Sequence, residues 1–234
     1  MIDLNRLGQI YRAPNATYDL DSKKFLNLSY SLYGEDLIIR SKMKEKFFTG
    51  KTGSYVDIGA FHPYYLSNTY LFYGAGWSGV CIDPNSIFKD TFRKVRPRDR
   101  FVNVAVLNEE KNLYFATHKR NTGMSNIFDN LEAISSDYNK PQKIKSMKLS
   151  KILEESFEGN KLIDFMSIDT EGNDLEVLQS NNWSRFRPKL ICIEEHHMPI
   201  AQLDKSPITV YLQKQGYRAF AHIPPNIFFE ESYS

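Results

Sequence analysis

The stretch IDFMSIDTEGNDLEVL, Ile163 to Leu178, packs an apolar run, a cluster of acids and a helical pattern into 16 residues. Phe165–Asp169 (FMSID) reads as a strand buried on both faces, because a short continuous apolar run bounded by turn residues is typical of such strands. Gly172 and Asn173 interrupt the run, and 173–180 resumes at helical spacing. Strand, tight turn and helix form the half-unit of a parallel α/β sheet, where ligands gather outside the carboxyl ends of the strands. Asp169, Glu171 and Asp174 therefore stand where a ligand would lie. Three carboxylates in six residues are costly unless something cationic or protic uses them. Capping of the helix, with help from Asn173, accounts for Asp174. Asp169 and Glu171 are read as functional.

Outward from this unit the same alternation recurs. Tyr55–Ile58 (YVDI), Val80–Asp83 (VCID), Phe101–Val106 (FVNVAV) and Leu190–Glu194 (LICIE) are the other strand candidates, and 66–74, 86–95 and 149–157 have helical character. A helix is predicted from Glu35 to Phe48, with Gly50 just beyond it. Leu113–Thr117 and Lys143–Lys148 fit a β excursion between the third and fourth main strands. After the fifth strand, a helix over Pro207–Gln215 leads to Tyr217–Ile223 and Ile227–Glu230, separated only by Pro224, Pro225 and Asn226. So short a connection forces an antiparallel hairpin. The predicted fold is α/β: a doubly wound, mostly parallel sheet with helices on both faces and an antiparallel C-terminal hairpin. Residues 1–30 are expected to form an N-terminal arm, and 31–234 the folded domain.

Composition narrows the function. Lys+Arg total 30 against 28 Asp+Glu, a net charge of +2, which leaves no basic footprint for nucleic acid. Cys81 and Cys192 each sit inside an apolar run and read as buried free thiols, too few for a disulfide framework or a Cys-based zinc site. No apolar stretch approaches the roughly 18–20 residues of a membrane span. MIDLNRLGQIYRAP lacks the apolar block of a signal peptide. A soluble, cytoplasmic protein is expected, with homo-oligomerisation left open.

The strand ends carry the candidate site. Tyr55–Ile58 runs into Gly59-Ala60, where glycine lets the backbone turn tightly against a ligand. The second strand ends in Asp83-Pro84-Asn85, 24 residues beyond Gly59. A carboxylate at that spacing suits the two hydroxyls of a ribose. A nicotinamide dinucleotide needs G-x-G-x-x-G, but the sequence here is G-A-F-H-P-Y. A nucleoside without a diphosphate fits better, and S-adenosylmethionine is the obvious one. The fifth strand ends in Glu194-Glu195-His196-His197, of which at most two can reach one cleft because adjacent strand residues face opposite ways.

Together these residues resemble the FkbM-type methyltransferases over about 29–200. The likeness rests on Tyr33-Gly34-Glu35-Asp36, Val56 to Ala60, Ser67-Asn68-Thr69, Gly76-Trp77, Gly79 to Asn85, the Ile163–Leu178 stretch and Arg187-Pro188-Lys189. Ser167 stands where many relatives have Lys, and Asp83 where many have Glu. The resemblance implies a class I, Rossmann-like methyltransferase with a seven-stranded sheet, using S-adenosylmethionine on hydroxyl oxygens of sugars or natural products. It implies that Asp57 and Gly59, with Ala60 and Asn68 beside them, line the methionine and ribose side, and that Asp83 holds the ribose. Asn103, Val104 and Ala105 would flank the adenine. Glu35 or Asp36 would close over the cofactor. Asp169 would face the methyl-transfer centre, with Glu171 behind it.

The expected activity is O-methylation of a sugar or sugar-derived acceptor, such as a bacterial surface polysaccharide or its precursor. A sugar hydroxyl is a poor nucleophile until it loses its proton. His196 or Glu195 is the expected base, with Asp169 and His197 as alternatives. A divalent cation held by Asp169 with Glu195 or His196 would serve the same end. The competing readings are a nucleotide-sugar oxidoreductase, disfavoured by the missing glycines, and a non-catalytic nucleoside-binding module. Aromatic residues, 14% of the chain, cluster at Tyr64, Tyr65, Tyr70, Phe72 and Tyr73, and at Tyr114, Phe115, Phe128 and Tyr138 in the excursion, where an acceptor could lie.

Overall fold

In the computed structural model, residues 27–120, 125–157, 162–196 and 198–232 are described. The expected arm falls outside them apart from 27–30, as does His197. The helices are α1 (Glu35–Lys42), α2 (Lys44–Phe48), α3 (Tyr70–Gly74), α4 (Lys89–Val95), α5 (Leu149–Ser156), α6 (Asp174–Gln179) and α7 (Pro207–Lys214). The strands are β1 (Ser54–Ile58), β2 (Ser78–Ile82), β3 (Arg100–Val102), β4 (Ala105–Val106), β5 (Asn112–Thr117), β6 (Ser125–Phe128), β7 (Gln142–Met147), β8 (Phe165–Ile168), β9 (Leu190–Glu194), β10 (Tyr217–Ile223) and β11 (Asn226–Glu231).

Seven strands form the main sheet in the order β10-β11-β9-β8-β1-β2-β3. β1 pairs in parallel with β2 and β8, and β8 with β9, so the apolar runs occupy the centre. β11 is antiparallel to both its neighbours, which places the second strand of the terminal hairpin inside the sheet and leaves β10 at the edge. Alternation along each strand divides the core in two. Val56, Ile58, Val80, Ile82, Met166, Ile168, Ile191 and Ile193 face α5, α6 and α7. Tyr55, Cys81, Phe165, Cys192 and Phe228 face α1, α3 and α4, where Phe72 and Trp77 fill the space. Both cysteines are buried and free. This is the doubly wound α/β sheet that the sequence predicts. No helix among the described residues is long and apolar enough to cross a membrane.

Four local expectations change. The helix from Glu35 to Phe48 is two helices, broken at Met43. The helix over 66–74 starts only at Tyr70, because Leu66 adopts φ 55° and the Ser67, Asn68 and Thr69 side chains are committed to distant partners. The run Phe101–Val106 serves two sheets. Arg100–Val102 extends the main sheet, whereas Ala105–Val106 pairs with β7 in a second sheet of order β4-β7-β5-β6. That excursion also contains β6, which the sequence reading missed.

Candidate active site

The carboxyl ends of β1, β2, β8 and β9 open into a cavity of about 320 Å³, walled on one side by the second sheet through Phe115, Asn126 and Ile127. Gly59 builds its floor. It adopts φ 79°, and its amide donates to the Ile82 carbonyl at 2.9 Å. Any Cβ there would run into the Asp169 carbonyl oxygen. The absence of a side chain thus lets the ends of β1 and β8 approach each other.

Of the residues expected to hold a cofactor, Glu35, Gly59, Asn68, Asp83, Val104, Ala105 and Asp169 line this cavity. Asp83 accepts the Phe61 and Asn85 amides, each at 2.7 Å, and burial pushes its carboxyl up to about 6. A carboxylate has about four acceptor positions, so two remain for a ligand's hydroxyls. Glu35 accepts the Tyr33 amide at 2.8 Å and the Asn226 side-chain amide at 2.9 Å, which ties the segment ahead of α1 to the start of β11. Asn68 donates to Ser167 Oγ at 3.0 Å. Ser167 is itself buried and does not line the cavity, whereas its partner Asn68 does.

Four expected residues do not line it. Asp57 turns behind the floor, where Thr69 Oγ1 donates to it at 2.5 Å in a network that includes Arg96. Asp36 is consumed by Ser29 Oγ, the Tyr30 amide and Ser31 Oγ, and so fixes the chain leading into α1. Ala60 is buried beside the floor. Asn103 donates to the Asp83 carbonyl at 2.8 Å and supports the loop instead of facing the cavity.

The acids at the ends of β8 and β9 also sort differently from expectation. Asp169 and Glu171 line the cavity, but the third member is Glu194. Glu195 points away and accepts from Ser206 Oγ, the N-cap of α7. His196 stands behind Glu194, its Nε2 3.1 Å from Oε2. Glu194 and His196 are the i, i+2 pair that strand alternation allows. Their common side with Cys192 was a signal in the sequence that could have singled out Glu194. Asp174 does not cap its own helix. It accepts from the Thr170 amide and hydroxyl and from the Gly172 amide, and so braces the turn that presents Glu171. Glu171 itself is held at φ 55°, a conformation costly for a residue with a side chain and concentrated at functional sites. Tyr33 and Thr170, which lie inside the motifs above but carry no expected role, also line the cavity, as do Leu32, Phe61 and Asn226, to which no motif pointed.

The sequence matches the model of the methyltransferase FkbM domain over residues 57–219. The chain belongs to the FkbM methyltransferase family. Among curated proteins none matches it. Similar solved structures include monomeric WbdD, at 10% identity and a TM-score of 0.46, covering 98% of this chain and 48% of that one. The chain thus spans about half the length of that relative. A methyltransferase from Geobacter sulfurreducens is 11% identical, with a TM-score of 0.46 and coverage of 98% and 97%. The 1,6-didemethyltoxoflavin-N1-methyltransferase of Burkholderia thailandensis, with bound 1,6-didemethyltoxoflavin and S-adenosylhomocysteine, is 9% identical, with a TM-score of 0.42 and coverage of 89% and 94%.

In this FkbM methyltransferase the cavity acids perturb one another. Burial, then the Glu194 and Glu171 charges, hold Asp169 well above the usual carboxylate range. Burial and Glu194 push Glu171 up to about 7, opposed by His196. Glu194 is raised by burial, again against His196. Glu171, Glu194 and His196 can each bring one donor atom within 4.8 Å of the others. Two carboxylates and an imidazole suit a divalent cation by donor type. This set shares His196 with the expected one (Asp169 with Glu195 or His196), and has Glu171 and Glu194 in place of Asp169 and Glu195.

Proposed function

We propose that this methyltransferase uses S-adenosylmethionine to methylate a hydroxyl of a sugar or sugar-derived acceptor, such as a surface polysaccharide or its precursor. The observation that carries the reading is the division of acids along one cavity. Asp83 follows β2, and Asp169, Glu171 and Glu194 lie at β8 and β9. β2 and β9 are three strand spacings apart, roughly 14 Å, which suits a nucleoside at one end and a reacting centre at the other. When bound, S-adenosylmethionine supplies a methyl group on a sulfonium.

The residues have separate tasks. Asp83 accepts the ribose hydroxyls, Val104 and Ala105 flank the base, and Glu35, beside Gly59, attracts the positive end. Asp169 fixes the geometry at the reacting end, where alignment of nucleophile and leaving group contributes most of the rate. Glu171 takes the hydroxyl proton. It lies in the cavity, and its proton affinity near neutrality is what an efficient base requires. His196 acts behind Glu194, and Glu195 is withdrawn from the role. A divalent cation on Glu171, Glu194 and His196 would acidify the same hydroxyl.

Calorimetric titration with S-adenosylmethionine and with NAD tests the cofactor. Binding of the first alone is expected, and binding of NAD alone would overturn the reading. Incubation with labelled methyl donor and a panel of sugars and sugar nucleotides, with and without EDTA, then tests the acceptor and the cation. Label found only on nitrogen or carbon would remove the O-methylation assignment.

A further inference from the structure

The cavity is lined by five carboxylates, Glu35, Asp83, Asp169, Glu171 and Glu194, and by no Lys, Arg or His among the described residues. The His196 imidazole beside the cavity is half exposed and already faces Glu194. Arg96, below the floor, is spent on Asp99 at 2.7 Å and on Thr69 and Tyr55. Among the described residues His196 stands at ion-pair distance from Glu194, and Glu35, Asp83, Asp169 and Glu171 have no Lys or Arg beside them in the cavity lining. Glu194 is about nine-tenths buried, and its Oε2 has no well-formed hydrogen bond despite the nearby imidazole. Such a lining attracts positive charge and repels negative charge through a low-dielectric wall. S-adenosylmethionine, with a sulfonium, an ammonium and one carboxylate, brings one net positive charge to a lining of five acidic groups and no basic one.

We infer that the acceptor entering beside Asp169, Glu171 and Glu194 carries no anionic group near its reacting hydroxyl: it is a neutral or amino sugar, and sugar phosphates, uronic acids and the diphosphate of sugar nucleotides are excluded. This rests on the methyltransferase reading above and narrows its acceptor. A phosphate or carboxylate binder would place a cation or a run of backbone amides at the reacting end. Here the Thr170 and Gly172 amides are both used by Asp174. Neutral hydroxyls meet acceptors suited to them, and an ammonium would find direct partners.

The test uses the full chain saturated with S-adenosylhomocysteine in EDTA. Binding of methyl hexosides, methyl hexosaminides and methyl hexuronides in the gluco, galacto and manno series is compared by saturation-transfer NMR. Within the best-binding series, the uronide should bind about tenfold more weakly than the neutral and amino sugars, the weight of one partly screened like-charge contact. The gap should shrink in Glu171→Gln or Glu194→Gln. A uronide that binds as well as its neutral counterpart overturns the inference. So does a gap that neither variant alters, or the absence of binding by every sugar to the saturated protein. Failure of S-adenosylhomocysteine itself to bind would instead remove the cofactor reading on which the inference stands.

Discussion

Two clusters of buried charge lie close together in this protein and are built on opposite plans. Below the cavity floor, the Arg96 and Asp99 side chains are fully buried and completely engaged. Arg96 donates to Asp99, Tyr55, Thr69, Ser67 and the Pro63 carbonyl. Asp99 also accepts the Gly79 amide and the Tyr55 hydroxyl. Above the floor, Asp169, Glu171 and Glu194 meet one another with only His196 in opposition. A balanced cluster holds its surroundings in place. An unbalanced one is costly to the free protein and stabilises whatever cation or proton enters. The difference separates a support from a site.

The sharpest way to break that contrast is substitution on each side. Asp169→Ala should abolish methyl transfer, measured with labelled donor, while its melting temperature stays level or rises as like charges are relieved. Full activity in that variant would sink the role given to Asp169. Arg96→Met should do the reverse. It leaves Asp99 and Asp57 buried without their cation, a loss of about 3–5 kcal/mol by chemical denaturation. A loss below about 1 kcal/mol would mean that the lower cluster supports little.

What the sequence disclosed follows the same division between local and distant causes. The strands at the centre of the sheet were legible because YVDI, VCID, FMSID and LICIE are short apolar runs that parallel burial requires. Asp83 was legible from its spacing to Gly59. The role of Asp57 was not, because the partner of its network, Arg96, lies 39 residues further along the chain. The unwound stretch before Tyr70 has the same origin, since Asn68 serves Ser167 and Ser67 accepts from Arg96 as well as from the Tyr70 amide at the helix start. Phe101–Val106 hid a change of sheet, because an apolar run does not record which neighbour it pairs with. Glu194 was within reach by alternation alone.

A titration sharpens the contrast without altering the sequence. In the folded protein Glu171 is raised from 4.5 to about 7 and Asp83 from 3.8 to about 6. A carboxyl raised on folding favours the native state below its unfolded value, and that advantage is lost as pH rises through the folded value. Stability of the ligand-free protein should therefore decline between about pH 4.5 and 7, followed by thermal melts across buffers. Glu171→Gln should flatten that decline, and so should saturating S-adenosylmethionine, whose affinity should increase as the acids ionise. A profile identical in Glu171→Gln and in the parent protein would remove Glu171 from the titrating cluster.

The smallest effect should come from the bond that joins the cavity wall to β8. Asn68 Nδ2 donates to the buried Ser167 Oγ at 3.0 Å, so Ser167→Ala removes one acceptor and leaves the amide facing the cavity. The net worth of such a bond is about 1 kcal/mol. Because Asn68 lines the cavity and Ser167 does not, the loss should appear mainly as a weaker affinity for S-adenosylmethionine, by about fivefold, with little change in kcat. Asn68→Ala should match it, and the double variant should be no worse than either single one, since both remove the same contact. Additive losses would show that Ser167 acts on the site by some route other than Asn68.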